Sequence, residues 1–214
     1  MKQIKVFATL LLLMIGMASS AQSLKEKKNY HKVFVEYSPM SVKSNISDMK
    51  YKFNGFGVGY NYTICMKDIP LHFGVGLKAD YYFGKNTDDT DPQAPIEYSS
   101  QYISVLPAFN CGVDIHIANV VTLSPYFAVG MRVGLLGKQK ATPAGGEEVK
   151  KGLFNKEEMD ANNVWSRTTS SWEAGLNVFY SSYFLGFSYN SDFEKIAVNA
   201  KQIRAFGIKA GYVF

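Results

Sequence analysis

The chain has 214 residues, 47% of them hydrophobic, enough for one domain with its own core. The formal charge is +5, but the cations are scattered among acids and form no Lys/Arg cluster interleaved with stacking aromatics, so no nucleic-acid partner is expected. Past residue 21 no segment approaches the about 20 apolar residues of a spanning helix, while Gly (18), Tyr (14) and Phe (15) are abundant, a mix suited to strands of a narrow barrel.

Lys2 and Lys5 give the chain a positive start. Val6 to Met17 is a run of 12 apolar residues, followed by Ala18-Ser19-Ser20-Ala21. This layout predicts a secretory signal peptide over 1–21, cleaved after Ala21; the run is short for the alternative, an uncleaved anchor helix. The mature domain is then 22–214, with charge 5 − 2 = +3. No Cys stands at the cleavage site, so a lipid anchor is not expected.

From residue 33 onward the pattern is period-two alternation. Val33, Val35 and Tyr37 come first, then Phe56, Val58, Tyr60 and Tyr62 against Gly55, Gly57, Gly59 and Asn61. The clearest stretch follows: Leu71, Phe73, Val75, Leu77, Ala79 and Tyr81 on one parity, His72, Gly74, Gly76, Lys78 and Asp80 on the other. Five more alternate alike: Ile103–Ile115, Phe127–Leu135, Trp172–Val178, Tyr183–Tyr189 and Phe206–Phe214. Eight strands, an even number, predict an all-β, eight-stranded antiparallel up-and-down transmembrane β-barrel, its apolar parity facing lipid and its polar parity filling the interior. A soluble β-sandwich is the architectural alternative, in which the apolar parity would be the core. Pro107 lacks a donor for the ladder and predicts a bulge or local irregularity.

Connections alternate in length. Those near 63–69, 117–121 and 181–182 are short; those near 38–50, 84–97, 137–167 and 190–201 are long and polar. This matches periplasmic turns and external loops, with both mature termini periplasmic. Tyr60, Tyr62, Tyr81, Tyr183, Tyr189 and Tyr212 fall at strand ends, where interfacial girdles are expected.

Ile208, Ala210, Tyr212 and Phe214 share the apolar parity of the last strand. A terminal aromatic ending such a strand resembles the signal read by the outer-membrane barrel-assembly machinery, and an extended strand can add to an open sheet edge. Together with Ala21-Gln22, Ile103-Ser104-Val105-Leu106-Pro107, Ser124-Pro125-Tyr126-Phe127-Ala128-Val129-Gly130 and Ala210-Gly211-Tyr212-Val213-Phe214, it makes the mature chain resemble the small outer-membrane β-barrel family common in the Bacteroidetes, the PorT-like group. The resemblance implies the barrel and the membrane but no single function.

The inward parity carries Lys32, Glu36, Lys78, Asp80, Asp114, Arg132, Glu173 and Lys209, four bases and four acids. A barrel this narrow is filled by side chains, and charges buried there must pair. The expectation is a closed plug of ion pairs; the alternative is a narrow ion path. His72 and His116 share that parity and, with Asp114, could form a zinc site, although hydrogen-bonded interior histidines are favoured. Neither cofactor nor metal is expected. Cys111 is expected to face lipid and Cys65 to lie in a turn, both as free thiols.

Ser99, Ser100, Ser170 and Ser171 have no histidine near the outer strand ends, which argues against a lipid-hydrolysing catalytic site. No Walker A loop, dinucleotide fingerprint, CxxC pair or HExxH is present. The second outer loop holds Lys85, Asp88, Asp89, Asp91 and Glu97, not in EF-hand spacing. The third and longest mixes Lys138, Lys140, Lys150, Lys151, Lys156 and Arg167 with Glu147, Glu148, Glu157, Glu158 and Asp160, and its 156–163 stretch suggests a short helix. A loop this long is the first place to look for external binding, including lipopolysaccharide phosphates.

The function expected is a non-enzymatic integral outer-membrane barrel, a structural or interaction module of the envelope linked to secretion. Alternatives are a small transport or ion-conducting barrel and a lipid-modifying enzyme. Expected partners are outer-membrane lipid and lipopolysaccharide, the assembly machinery during biogenesis, and an envelope or secretion protein.

Overall fold

A computed structural model describes residues 29–46, 49–67, 69–88, 95–118, 121–144 and 146–214. The expected signal peptide, 1–21, lies outside the described residues, as do Asp89 and Asp91.

The described chain forms strands β1 (Asn29–Tyr37), β2 (Met40–Lys43), β3 (Lys50–Cys65), β4 (Leu71–Asp88), β5 (Ile96–Val113), β6 (Ile115–Ala118), β7 (Val121–Pro143), β8 (Val149–Gly152), β9 (Thr168–Tyr180), β10 (Tyr183–Asp192) and β11 (Arg204–Val213). Past the break at Ser38 and Pro39, β2 continues β1, and both pair with β3 and β11; β6 continues β5 beside β7. The result is a ring of eight staves, every pairing antiparallel, in which β1 meets both β3 and β11 and closes the sheet. Closure leaves no row of unpaired backbone groups on the wall, a requirement for crossing hydrocarbon.

Short connections gather at one end of the ring, the turn end, with Asn29 and Val213. At the β9–β10 turn there, Ser181 takes a left-handed φ of 55°. Long connections gather at the other, the loop end. On the outer wall Leu77 is 53% exposed and Val75 56%; on the inner wall Lys78 is 6% and Asp80 2%. The charges are inside and the large apolar side chains outside, the reverse of a soluble sandwich. A continuous apolar belt of this kind is a membrane surface. Tyrosines rim it: Tyr60, Tyr62, Tyr183 and Tyr212 toward the turn end, Tyr37, Tyr81 and Tyr189 toward the loop end.

Several expectations need correction. Ladders run far past the apolar band, β4 with β5 out to Asp88 and Ile96 and β5 with β7 out to Ile96 and Pro143, so the connections read as loops over 84–97 and 137–167 are partly strand. Polar residues can extend a ladder once their neighbour supplies the hydrogen bonds, and alternation of hydrophobicity does not report this. The β5–β7 ladder is irregular at Pro107, where Leu106 and Pro107 have no partners on β7, but the register is the same on both sides; the bulge lies instead at Ile103/Ser104, where both Leu135 and Leu136 turn outward. The stretch 156–163 is a series of turns, not a helix. Asn155 and Asp160 accept hydrogen bonds from the backbone N–H groups of Glu157 and Asn162, the local competition by which Asn and Asp displace helix.

Two apolar clusters occupy the interior. Near the loop end Met40, Val42, Phe53, Tyr82, Tyr102 and Ala205 from the staves pack with Ile196 and Ile203 from the β10–β11 connection, and Phe154 and Trp165 of the β8–β9 connection pack on them. Near the turn end Tyr30, Phe179, Phe184 and Val213 pack together with Phe34 and Cys65.

Replacing Leu77 by Arg should separate a lipid-facing wall from a water-facing one. In vesicle refolding titrations we expect a loss of about 2–4 kcal/mol, the cost of Arg on a barrel's lipid face near mid-membrane. An exposed Leu in a soluble protein would accept the change at nearly no cost.

Candidate functional site

The lumen between the two clusters holds most of the buried charge. Its geometry follows from the alternation that built the wall: each inward residue meets those of neighbouring staves at the same height. Lys78 of β4 stands among three carboxylates: Glu36 of β1 at 3.2 Å, Glu173 of β9 at 3.5 Å and Asp80 of its own strand at 3.7 Å. Lys209 of β11 pairs with Glu173 at 2.5 Å and lies 3.8 Å from Glu36. Tyr126 of β7 donates its hydroxyl to Glu173 (2.7 Å) and accepts from Lys209 (2.8 Å).

Toward the loop end the chain of charges continues. Arg132 of β7, 1% exposed, lies 3.9 Å from Asp80 and bonds Asp192 through Nε at 3.1 Å. Its Nη2 donates to Asn190 Oδ1, and Thr169 donates its hydroxyl to Asp192 at 3.0 Å. Acid and base alternate from Asp192 through Arg132, Asp80, Lys78 and Glu36 to Lys209 and Glu173, drawing on six staves. Glycines make the room: a Cβ at Gly57 would strike the Asp80 carboxylate, and one at Gly207 would strike Glu36 and Ser188.

All eight interior charges expected from sequence are buried on the inner wall, but they do not form one set. Glu36, Lys78, Asp80, Arg132, Glu173 and Lys209 join the central chain. Asp114 stands apart at the turn end, 3.2 Å from His72 Nδ1. Lys32 has no carboxylate within ion-pair distance among the described residues; its ammonium lies over the Tyr30 ring, 5.6 Å from the centroid, beside a cavity of about 70 Å³. Sequence reading missed Asp192 and Asn190 as partners of Arg132. Both carry the inward parity of Phe184, Gly186 and Ser188; Asn190 closes the alternating stretch, while Asp192 lies beyond it on the same parity.

The possible zinc set is not assembled. His116 is exposed and bonds Thr122 Oγ1 at 2.8 Å, away from the His72–Asp114 pair. Among the described residues no group of three or more His, Cys, Asp or Glu side chains is placed to hold a metal ion. Cys65 is the last residue of β3 rather than part of a turn, and its Sγ points inward, 3.9 Å from Asp114 Oδ2; Cys111 is free as well.

At the loop end Lys85 pairs with Glu97 (3.0 Å), and Lys140 and Lys150 both reach Glu148, at 3.1 and 3.7 Å. The hydrogen bond from Lys140, with Lys150 beside it, holds the Glu148 carboxyl below its ordinary range. Ser170 donates to Glu194 at 3.3 Å. On the outward parity of β11, Ile208, Ala210 and Tyr212 lead to Phe214, which exchanges backbone hydrogen bonds with His31 (3.0 Å each) and stacks on its ring.

The family described as the outer membrane protein beta-barrel domain matches residues 7–214 of this chain. Solved structures similar to it include Ail, the attachment invasion locus protein of Yersinia pestis, in complex with the heparin analogue sucrose octasulfate, at 15% identity, 88% of this chain, 100% of that chain and TM-score 0.49. Neisserial surface protein A is similar at 14% identity, 87% and 96% coverage and TM-score 0.46. The outer membrane enzyme PagL is similar at 11% identity, 83% and 98% coverage and TM-score 0.41. No curated protein matches the sequence.

Removing one partner from a buried charge chain leaves the others uncompensated. Glu173→Gln deprives both Lys209 and Lys78 of a carboxylate, and we expect a loss of about 3–5 kcal/mol in folding stability, measured by denaturant titration in lipid vesicles. A surface pair such as Lys85–Glu97 should tolerate Glu97→Gln within about 1 kcal/mol.

Proposed function

This chain belongs to the outer membrane protein beta-barrel domain family and is an integral outer-membrane protein, and on that premise we propose that it is a closed, non-enzymatic barrel serving the envelope as a structural and interaction module. The observation that carries the reading is the filled lumen: an alternating chain of ion pairs between an apolar cluster inside the loop end and another inside the turn end. A conducting barrel needs a continuous polar path. Here Trp165 packs edge-on against Tyr102, centroids 5.4 Å apart, inside the loop end, and Tyr30, Phe179 and Phe184 pack together inside the turn end, where His72 and Asp114 also pair.

Finer features complete the proposal. Residues 1–21 direct export and are removed, leaving 22–214 as the barrel. The turn end and both mature termini face the periplasm, and the loop end faces outward. Ile208, Ala210, Tyr212 and Phe214 form the outward face that the barrel-assembly machinery reads before β11 meets β1. The chain is of the PorT-like group, and its loop end engages an envelope or secretion protein. Support for a non-enzymatic role comes from the histidines: all three sit toward the turn end, away from Ser99, Ser100, Ser170 and Ser171.

Purified wild-type protein in planar lipid bilayers should give no stable conductance steps. Large, reproducible steps would refute the closed barrel and favour the transport reading. Lipid A mass spectra from a deletion strain should match those of the parent; loss of a lipid A modification would refute the non-enzymatic reading.

A further inference from the structure

Past the bulge at Ile103/Ser104, the outward line of β7 runs Leu136, Lys138, Lys140. Across β8, Lys140 stands opposite Lys150 and Lys138 opposite Gly152; across β5, Lys138 stands opposite Gln101 and Lys140 opposite Ser99. These lysines therefore share the outer wall with the lipid-facing residues, just beyond them. Strands rise about 3.3 Å per residue and tilt about 40° in such barrels, so Lys138 and Lys140 stand roughly 5 and 10 Å along the barrel axis beyond Leu136, the last apolar residue of that outward line. Lipid headgroups occupy about 5–8 Å beyond the hydrocarbon on each side.

The same wall carries a groove of about 810 Å³, lined among others by Lys138, Lys140, Lys150, Lys151, Phe154 and Arg167. Its charge is poorly balanced. Glu148 is shared by Lys140 and Lys150, and Glu158 is occupied by the Gly152 N–H and the Asn155 amide. Lys138, Lys151 and Arg167 have no carboxylate within 4.0 Å among the described residues; the Arg167 guanidinium lies 4.7 Å from the Phe154 ring centroid. Glu148 already joins the opposed like charges of Lys140 and Lys150, so the cations left for a ligand's anion are Lys138, Lys151 and Arg167. Ser99, Gln101 and Asn155 add neutral hydrogen-bonding groups of the kind a sugar needs.

We propose that this lateral groove binds the phosphate and sugar of a phosphorylated glycolipid in the surrounding outer leaflet. A free anion would find the same cations, but the groove's place on the lipid-facing wall, at headgroup height, selects a membrane lipid. The inference rests on the barrel standing in the outer membrane with its loop end outward.

The test is a titration of full-length folded protein, in detergent micelles, with bisphosphorylated lipid A. Wild type should bind saturably, and the Lys138→Ser/Arg167→Ser variant about tenfold more weakly, as expected for losing one or two charge-assisted hydrogen bonds. Lys195→Ser, in the connection between β10 and β11, should bind as wild type does. Dephosphorylated lipid A should bind at least about tenfold more weakly, and millimolar inorganic phosphate should not displace the lipid. Equal binding by the double variant, equal binding of the dephosphorylated lipid, or full displacement by inorganic phosphate would each overturn the proposal. Circular dichroism of the same samples, and flotation of the protein refolded into detergent-free vesicles, separate the two levels. A wild-type chain that does not float with lipid overturns the membrane placement itself; a chain that floats but does not bind overturns only the groove.

Discussion

Lys78 surrounded by Glu36, Asp80 and Glu173 is the contact on which the barrel depends. A wall that shows lipid its apolar parity has no choice about the other parity: polar and charged side chains go inside, out of bulk water. An ion moved there alone costs several kcal/mol, and only close partners offset it. The alternating chain from Asp192 to Glu173 is the solution, and it ties together six of the eight staves. It also fixes register. A one-residue slip of any stave would send its charges into lipid and its apolar residues into the lumen.

The charge chain does not fill the interior by itself. Above and below it the inward parity turns largely to Tyr, Phe, Met and Val, with Lys32 and the His72–Asp114 pair remaining at the turn end. These apolar residues of neighbouring staves pack together inside the ring, and at the loop end the connections contribute Ile196, Ile203 and Trp165. The described connections that project outward are thus anchored inward by these contacts. The loop-end ladders extend beyond the apolar band and carry lysines to headgroup height on the outer wall. Interaction with lipid or with another protein would occur on a face whose backbone is held by β-pairing, as a rigid recognition surface requires.

Much of this was legible in the residues. Strict alternation along Leu71–Tyr81 and its seven counterparts identified the staves and assigned eight interior charges, though not Asp192, to the inner wall, because parity in a strand is a geometric fact. Three things were not legible. Partners were not, since parity says that Lys78 and Glu173 face inward but not that they meet; that depends on stagger around the ring. Strand ends were not, because ladder hydrogen bonds continue through polar residues such as Lys138–Lys140 where hydrophobic alternation has stopped, and Asp192 was lost for the same reason. Pro107, which lacks a donor, interrupts the ladder without shifting its register, and the register shift falls three to four residues away at Ile103/Ser104.

The central claim is that the charged parity is the inside of a closed barrel in the outer membrane. Fractionation of cells followed by gel electrophoresis with and without boiling tests it most directly, since a closed barrel resists SDS at room temperature and migrates differently once unfolded. The account predicts an outer-membrane band whose mobility shifts on boiling. A protein recovered in soluble form, with one mobility before and after boiling, would contradict it and make the wall read here as lipid-facing a buried core.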